Sequence, residues 1–135
     1  MADDPARAHE TNGEGLRVAA LTMRGTPRVE ENVEAARALV RAAAAEGASY
    51  VQTPEITNVV QRGRERMMPL LFEEADDPAL AAFRALAAEL GILLHVGSLA
   101  LRAGERAVNR GFLIGPDGAV RARYDKIHMF DVDIG

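Results

Sequence analysis

The 135-residue sequence contains no cysteine. Disulfides, thiolate metal sites and thiol catalysis are therefore outside what this chain does by itself, and the absence fits a reducing compartment such as the cytosol. Tryptophan is missing too, and aromatic residues make up only 4%, too few for base-stacking platforms. No basic stripe offsets the net charge of −4, which argues against a nucleic-acid partner. The longest apolar stretch, "GILLHVGSLAL", is too short and interrupted to cross a bilayer. The opening "MADDPARAHETNGEG" lacks the basic-then-apolar order of a signal peptide. The three histidines, His9, His95 and His128, show no metal-ligand spacing, so neither metal nor cofactor is expected. A soluble, cytoplasmic chain is the expectation.

What is present reads as one domain's worth of globular sequence, 48% hydrophobic and 27% charged. Residues 1–15 read as a disordered tail, without periodicity. "LRVAALTM" (16–23) is a short apolar run of the kind buried on both faces of a sheet. From Val29 to Ala45 the apolar positions Val29, Val33, Ala36, Val40 and Ala43 predict an amphipathic helix, with glutamates near its positive end and Gly47 after it. "ASYVQT" (48–53) is a second strand, ended by Pro54. The connection 58–77 is long enough to suggest function, with a helical turn before Pro69 and an acidic "EEADD" read as a solvated approach to the next helix. Asp77 caps and Pro78 opens that helix over 78–90; Leu80, Phe83, Ala87 and Leu90 form its apolar face, and Gly91 ends it. Strands over 92–101, 108–115 and 119–127 follow, joined by "RAGERA" and "GPDG" turns. The order β-α-β-α-β plus two antiparallel hairpin strands is a mixed α/β sheet.

In the last strand Val120, Ala122, Tyr124 and Lys126 share one side of a two-residue repeat, while Arg121, Arg123 and Asp125 form a solvent side. A lysine ending the inward side calls for a partner. Strand directions bring Glu55, Asn109 and Lys126, with His128 nearby, to the carboxyl edge of the parallel strands, where open α/β sheets bind ligands. A structural ion pair and a functional one both satisfy this geometry. Ser98 and His95 sit inside an apolar strand, where a backbone-bonded serine and a hydrogen-bonded core histidine are the expectations. Met67, Met68, Leu70, Leu71 and Phe72 are equally suited to a pocket mouth or to core packing.

Four segments, "VAALTM", "TPEIT", "VNRGFLIGPDG" and "YDKIHMFDVDI", occur in the order and spacing that resemble the nitrilase superfamily of carbon-nitrogen hydrolases. The last is most similar to the branch containing deaminated-glutathione amidase and ω-amidase. The resemblance covers 16–135 and implies about the first half of an αββα sandwich. It implies a glutamate–lysine–cysteine triad, with Glu55 as general base and Lys126 as oxyanion donor. Asn109 and His128 would support that site. It implies small linear amides as substrates and a homo-oligomer for the full-length form. The family's cysteine, and a further substrate-positioning glutamate, fall beyond residue 135. A non-catalytic binding or assembly module of the same fold is the alternative. A carboxylate in such a partly desolvated site is expected to gain proton affinity, and the missing second sheet to leave an apolar face exposed.

Overall fold

A computed structural model describes residues 15–127. Its elements are β1 (Val18–Ala20), α1 (Val29–Ala45), β2 (Tyr50–Gln52), α2 (Arg64–Met67), α3 (Pro78–Leu90), β3 (Leu93–Ala103), β4 (Arg106–Ile114) and β5 (Val120–Asp125), with 3-10 turns at Met68–Leu70 and Glu74–Asp76. The five strands form one sheet in the order β1-β2-β3-β4-β5. The first three are parallel, and the last two add antiparallel.

Both long helices occupy the residues that their periodicity marks. Successive crossovers in one direction place them on the same face of the sheet. There Ala36 and Val40 of α1 meet Phe83, Leu86 and Ala87 of α3 over Val51, Leu94, Val96, Phe112 and Ile114. A smaller cluster of Val29, Val59, Leu71 and Ala100 gathers beyond it, with Met67, Met68 and Leu70 packed against it. The 58–77 methionines and leucines thus serve packing, and only Phe72 of that group is substantially exposed.

The Asp77 carboxylate accepts the Leu80 N–H at 2.7 Å and closes the start of α3, while Gly91 ends the helix in the left-handed region at φ 63°. Asp77 is buried. Its replacement by alanine orphans the Leu80 N–H, and Asp77→Ala is expected to lower stability by about 1 kcal/mol in urea unfolding.

The strands depart from expectation in instructive ways. β1 is only three residues long, and Val18 and Ala20 are exposed while Ala19 packs on the core. The expected burial of β1 on both faces does not occur, because among the described residues both crossover helices lie on one side. The opposite face leaves Val18 and Tyr124 55% and 64% exposed. It is less apolar than expected, since Gln52 and a Tyr50–His95 pair share it.

β5 carries an extra residue. Leu113 pairs with Ala122 but Ile114 with Val120, so the register shifts around Arg121. Val120 therefore packs toward the helices, while Ala122 and Tyr124 face the other way and are exposed. The single alternation expected over 119–127 is broken by this bulge. Arg123 and Asp125 are not a plain solvent side either. Arg110 grips Asp125 at 2.5 and 2.9 Å and Glu74 at 2.6 Å, and Arg123 reaches Glu74 at 2.6 Å. Burial alone would raise the Glu74 carboxyl, but the two guanidinium groups outweigh it and hold it below its ordinary range. Within "EEADD", Glu74 is thus the centre of an ionic cluster and Asp77 the cap of α3, while Glu73 and Asp76 are exposed as a solvated approach would have them.

Candidate active site

β2 stops where its sequence requires. The Thr53 N–H makes a last bond to the His95 carbonyl at 2.9 Å, and Pro54 has no N–H to continue. The chain then turns sharply over Pro54–Thr57. Thr57 Oγ1 donates to the Pro54 carbonyl at 2.7 Å, which uses its one proton. The Thr53 hydroxyl, 2.7 Å away, therefore donates to Thr57, and its oxygen accepts the Gly97 N–H at 3.2 Å.

Within this turn Ile56 lies at φ 52°, the one non-glycine residue at positive φ among those described. A β-branched side chain resists that region, at a cost on the order of 1–3 kcal/mol. Three bonds to Ser98 hold the turn there. Ser98 Oγ accepts the Ile56 N–H at 2.8 Å, the Ser98 carbonyl accepts the Thr57 N–H at 2.8 Å, and the Ser98 N–H reaches the Pro54 carbonyl at 3.3 Å.

β3 makes room for the turn by bulging between Val96 and Leu99, so that Gly97 and Ser98 together oppose Gly111. A Cβ on Gly97 would stand 2.3 Å from the Thr53 carbonyl oxygen and 2.6 Å from that of Pro54. Only glycine admits so close an approach. Beyond the turn, the buried Asn58 side chain exchanges two bonds with the Ala100 backbone, at 2.8 and 2.9 Å. Asn32 of α1 in turn donates to the Asn58 carbonyl at 2.9 Å.

On this platform the Glu55 carboxylate meets two other strands. Its Oε1 accepts Asn109 Nδ2 at 2.8 Å and Lys126 Nζ at 2.6 Å. The Lys126 N–H also donates to the Asn109 carbonyl at 2.9 Å, which fixes the residue just past β5 against β4. Glu55, Asn109 and Lys126 thus converge from positions 55, 109 and 126, while His128 lies outside the described residues. They line an open cleft of about 290 Å³ with Gln52, Gly111 and Tyr124. Gly97 and Gly111 give the cleft a backbone floor, and Tyr124 forms one wall.

Electrostatically the pair differs from expectation. The Lys126 ammonium, and after it the Asn109 amide, hold the Glu55 carboxyl below its ordinary range. The expected gain in proton affinity is absent, because the Glu55 and Lys126 side chains are 56% and 36% exposed. Water therefore still reaches the charge, and desolvation is too weak to oppose two donors.

The two outlying candidates take modest roles. Ser98 is buried and backbone-bonded. His95 is half-buried on the helix-free face rather than in the core, with Nδ1 2.7 Å from the Tyr50 hydroxyl.

Against protein-family models, residues 17–135 match the carbon-nitrogen hydrolase family. The chain belongs to that family. Among curated carbon-nitrogen hydrolase relatives, it is 33% identical over 110 residues to the chloroplastic omega-amidase of Arabidopsis thaliana, covering 78% of this chain and 29% of that protein. It is 30% identical over 119 residues to the human omega-amidase, covering 88% and 42%. It is 32% identical over 122 residues to the deaminated glutathione amidase of Synechocystis, covering 86% and 43%. The chain spans less than half the length of these relatives. In three dimensions it is similar to the NitFhit protein of C. elegans, with a TM-score of 0.74 and 26% identity over 87% of this chain and 28% of that one. An amidase from Nesterenkonia gives a TM-score of 0.74 at 24% identity, over 85% and 44%. The mixed sheet is that of the carbon-nitrogen hydrolase fold.

Sequence reasoning missed what supports the three convergent side chains. The Thr53–Thr57 hydroxyl relay and the Asn58 brace hold the "TPEITN" turn, and nothing in their spacing announces buried partners on β3. One signal was available for Arg110. It alternates with Phe112 and Ile114 on the core-facing side of β4, where a guanidinium needs carboxylates.

Proposed function

We propose that this chain is the N-terminal part of an amidase that converts small linear amides and water to carboxylates and ammonia. Glu55 takes the proton of a cysteine thiol supplied from beyond residue 135, and the thiolate attacks the amide carbon. Lys126 donates to the oxyanion that develops on the carbonyl oxygen. Glu55 returns that proton to the amide nitrogen, ammonia leaves as the thioester forms, and water then releases the acid and restores the thiol. Asn109 holds the Glu55 carboxylate, and His128 is assigned a supporting role. No cofactor or metal takes part, and the partner is a small amide rather than nucleic acid or a membrane. The reading places the protein in the cytoplasm and its full-length form in a homo-oligomer.

The observation that carries this reading is Glu55 Oε1, which receives both Lys126 and Asn109 at one cleft. A fixed ammonium at a developing oxyanion and a carboxylate at a thiol are the two charges that acyl transfer uses. Names of the relatives supply the substrate class, since omega-amidases and a deaminated glutathione amidase are among them. The low proton affinity of Glu55 fits an uncovered site. A layer that excluded water from the cleft would raise it toward a working base.

The test is the coding sequence past codon 135, followed by the activity of the polypeptide it specifies. A downstream cysteine is expected, together with ammonia release that falls about 10²–10³-fold in Lys126→Met and by at least about a hundredfold in Glu55→Gln. A continuation without cysteine leaves a non-catalytic module of this fold as the answer, and a Lys126→Met enzyme that turns over like the parent removes Lys126 from the oxyanion role.

A further inference from the structure

The peptide joining Glu55 to Ile56 is the least comfortable unit in the turn. Ile56 lies at φ 52°, where a β-branched residue meets its own backbone. Rotating that one peptide would bring Ile56 back to negative φ. Because a peptide rotation changes ψ of the preceding residue as well, the same motion would alter the backbone conformation of Glu55, from which its carboxylate is presented. Something must oppose it, and the opposing contact is the 2.8 Å bond from the Ile56 N–H to Ser98 Oγ. Neighbouring bonds do not substitute. The Ser98 carbonyl grips Thr57 and the Ser98 N–H grips Pro54, one on each side of the Glu55–Ile56 unit.

We infer that Ser98 is a positioning residue for Glu55, its hydroxyl oxygen locking the Glu55–Ile56 peptide in the orientation that presents the carboxylate to Lys126 and Asn109. This deepens the amidase reading and rests on Glu55 being its working carboxylate. Ser98 does not touch Glu55 through its side chain and is not a nucleophile. Its oxygen already accepts a backbone N–H, it is 4% exposed, and no histidine or lysine bonds to it among the described residues. The serine must sit on a bulge, next to a residue without a side chain, to approach the turn this closely. Gly97 and the Val96/Leu99 register shift provide both. The "GS" pair and the "PEI" turn form one device, built from two strands 42 residues apart.

The experiment is a double-mutant cycle on the 135-residue chain, read by NMR. The Glu55 carboxyl titration reports its contact with Lys126, and the intraresidue HN–Hα cross-peak of residue 56 reports positive φ. In Ser98→Ala the cross-peak is expected to weaken and the Glu55 midpoint to rise toward that of an ordinary glutamate. In an Ile56→Gly background, where positive φ carries no penalty, the same Ser98→Ala change is expected to leave the Glu55 midpoint nearly where Ile56→Gly alone puts it. If Ser98→Ala fails to fold, the cycle is decided by Ser98→Ala/Ile56→Gly, which should fold and titrate like Ile56→Gly.

An unchanged Glu55 midpoint in folded Ser98→Ala overturns the inference. So does an equal shift in both backgrounds, or a double variant that does not fold, since each assigns Ser98 to general packing. None of these readouts requires turnover. A failed cycle therefore leaves the amidase reading standing, and an inactive full-length protein leaves the cycle intact.

Discussion

Incubated with glutaramate-like or deaminated-glutathione-like amides, the 135-residue chain is expected to release no ammonia above a boiled control. The argument is chemical. Glu55 and Lys126 are a proton acceptor and an ammonium, already bonded to each other at 2.6 Å. Neither supplies the electron pair that must attack the amide carbon. No thiol exists in the sequence. Ser98, the hydroxyl beside the cleft, has its oxygen occupied by the Ile56 N–H. Removing the nucleophile from a comparable hydrolytic triad costs on the order of a millionfold. Thiol alkylation supplies an internal check, because iodoacetamide has no cysteine to modify here. Ammonia release that iodoacetamide abolishes comes from a contaminant. Release that survives iodoacetamide, scales with this chain and is lost in Lys126→Met would overturn the expectation.

Gly97→Ala is expected to be the most damaging small substitution in the cleft. The added Cβ would stand 2.3 and 2.6 Å from two carbonyl oxygens of the turn. Both belong to backbone pinned by Ser98, Thr57 and Pro54, so no flexible side chain can yield. Overpacking of this kind costs about 1–3 kcal/mol, and the rigid neighbour puts this site at the upper end. The only relief is displacement of the Thr53–Glu55 backbone, which also carries the carboxylate away from Lys126. Urea unfolding should show the loss of stability, and the Glu55 titration should move up toward an ordinary glutamate. Gly111→Ala is the graded comparison. Its Cβ would meet the Gly97 carbonyl oxygen at 3.0 Å, so a smaller loss is expected. A Gly97→Ala chain as stable as the parent would show that the turn is not seated as described.

The parts of this fold that follow from local rules were legible in the sequence. α1 and α3 have the bounds that their apolar spacing and their flanking Asp77, Gly47 and Gly91 mark. The meeting of Glu55, Asn109 and Lys126 followed from strand direction alone, because direction fixes which end of a strand reaches which edge. What escaped depends on one-residue register. An extra residue in β5 sends Val120 to the helices and Tyr124 to the cleft, although a strict alternation would put them together. The β3 bulge likewise turns Ser98 from an ordinary strand position into the anchor of a turn. Bulges carry no strong local signature; their cause lies in the partner segment that must be accommodated. The raised proton affinity expected for Glu55 failed for a related reason. Desolvation depends on what covers a side chain, and its own motif does not specify that.

The acid–ammonium contact also joins residues 71 positions apart. The β3–β4–β5 meander closes through two short turns and gathers quickly, whereas β2 reaches β3 only after the 58–77 excursion and α3 have been laid down. Contacts of long sequence separation form late, since chain entropy must be spent before they repay it. The scaffold is therefore expected to assemble first and the charge pair last, an order that stopped-flow refolding of the chain would check. A chain stalled part-way would retain its hairpins yet hold Glu55 and Lys126 as separate, hydrated ions, so the titration of Glu55 doubles as a clock for the final step of folding.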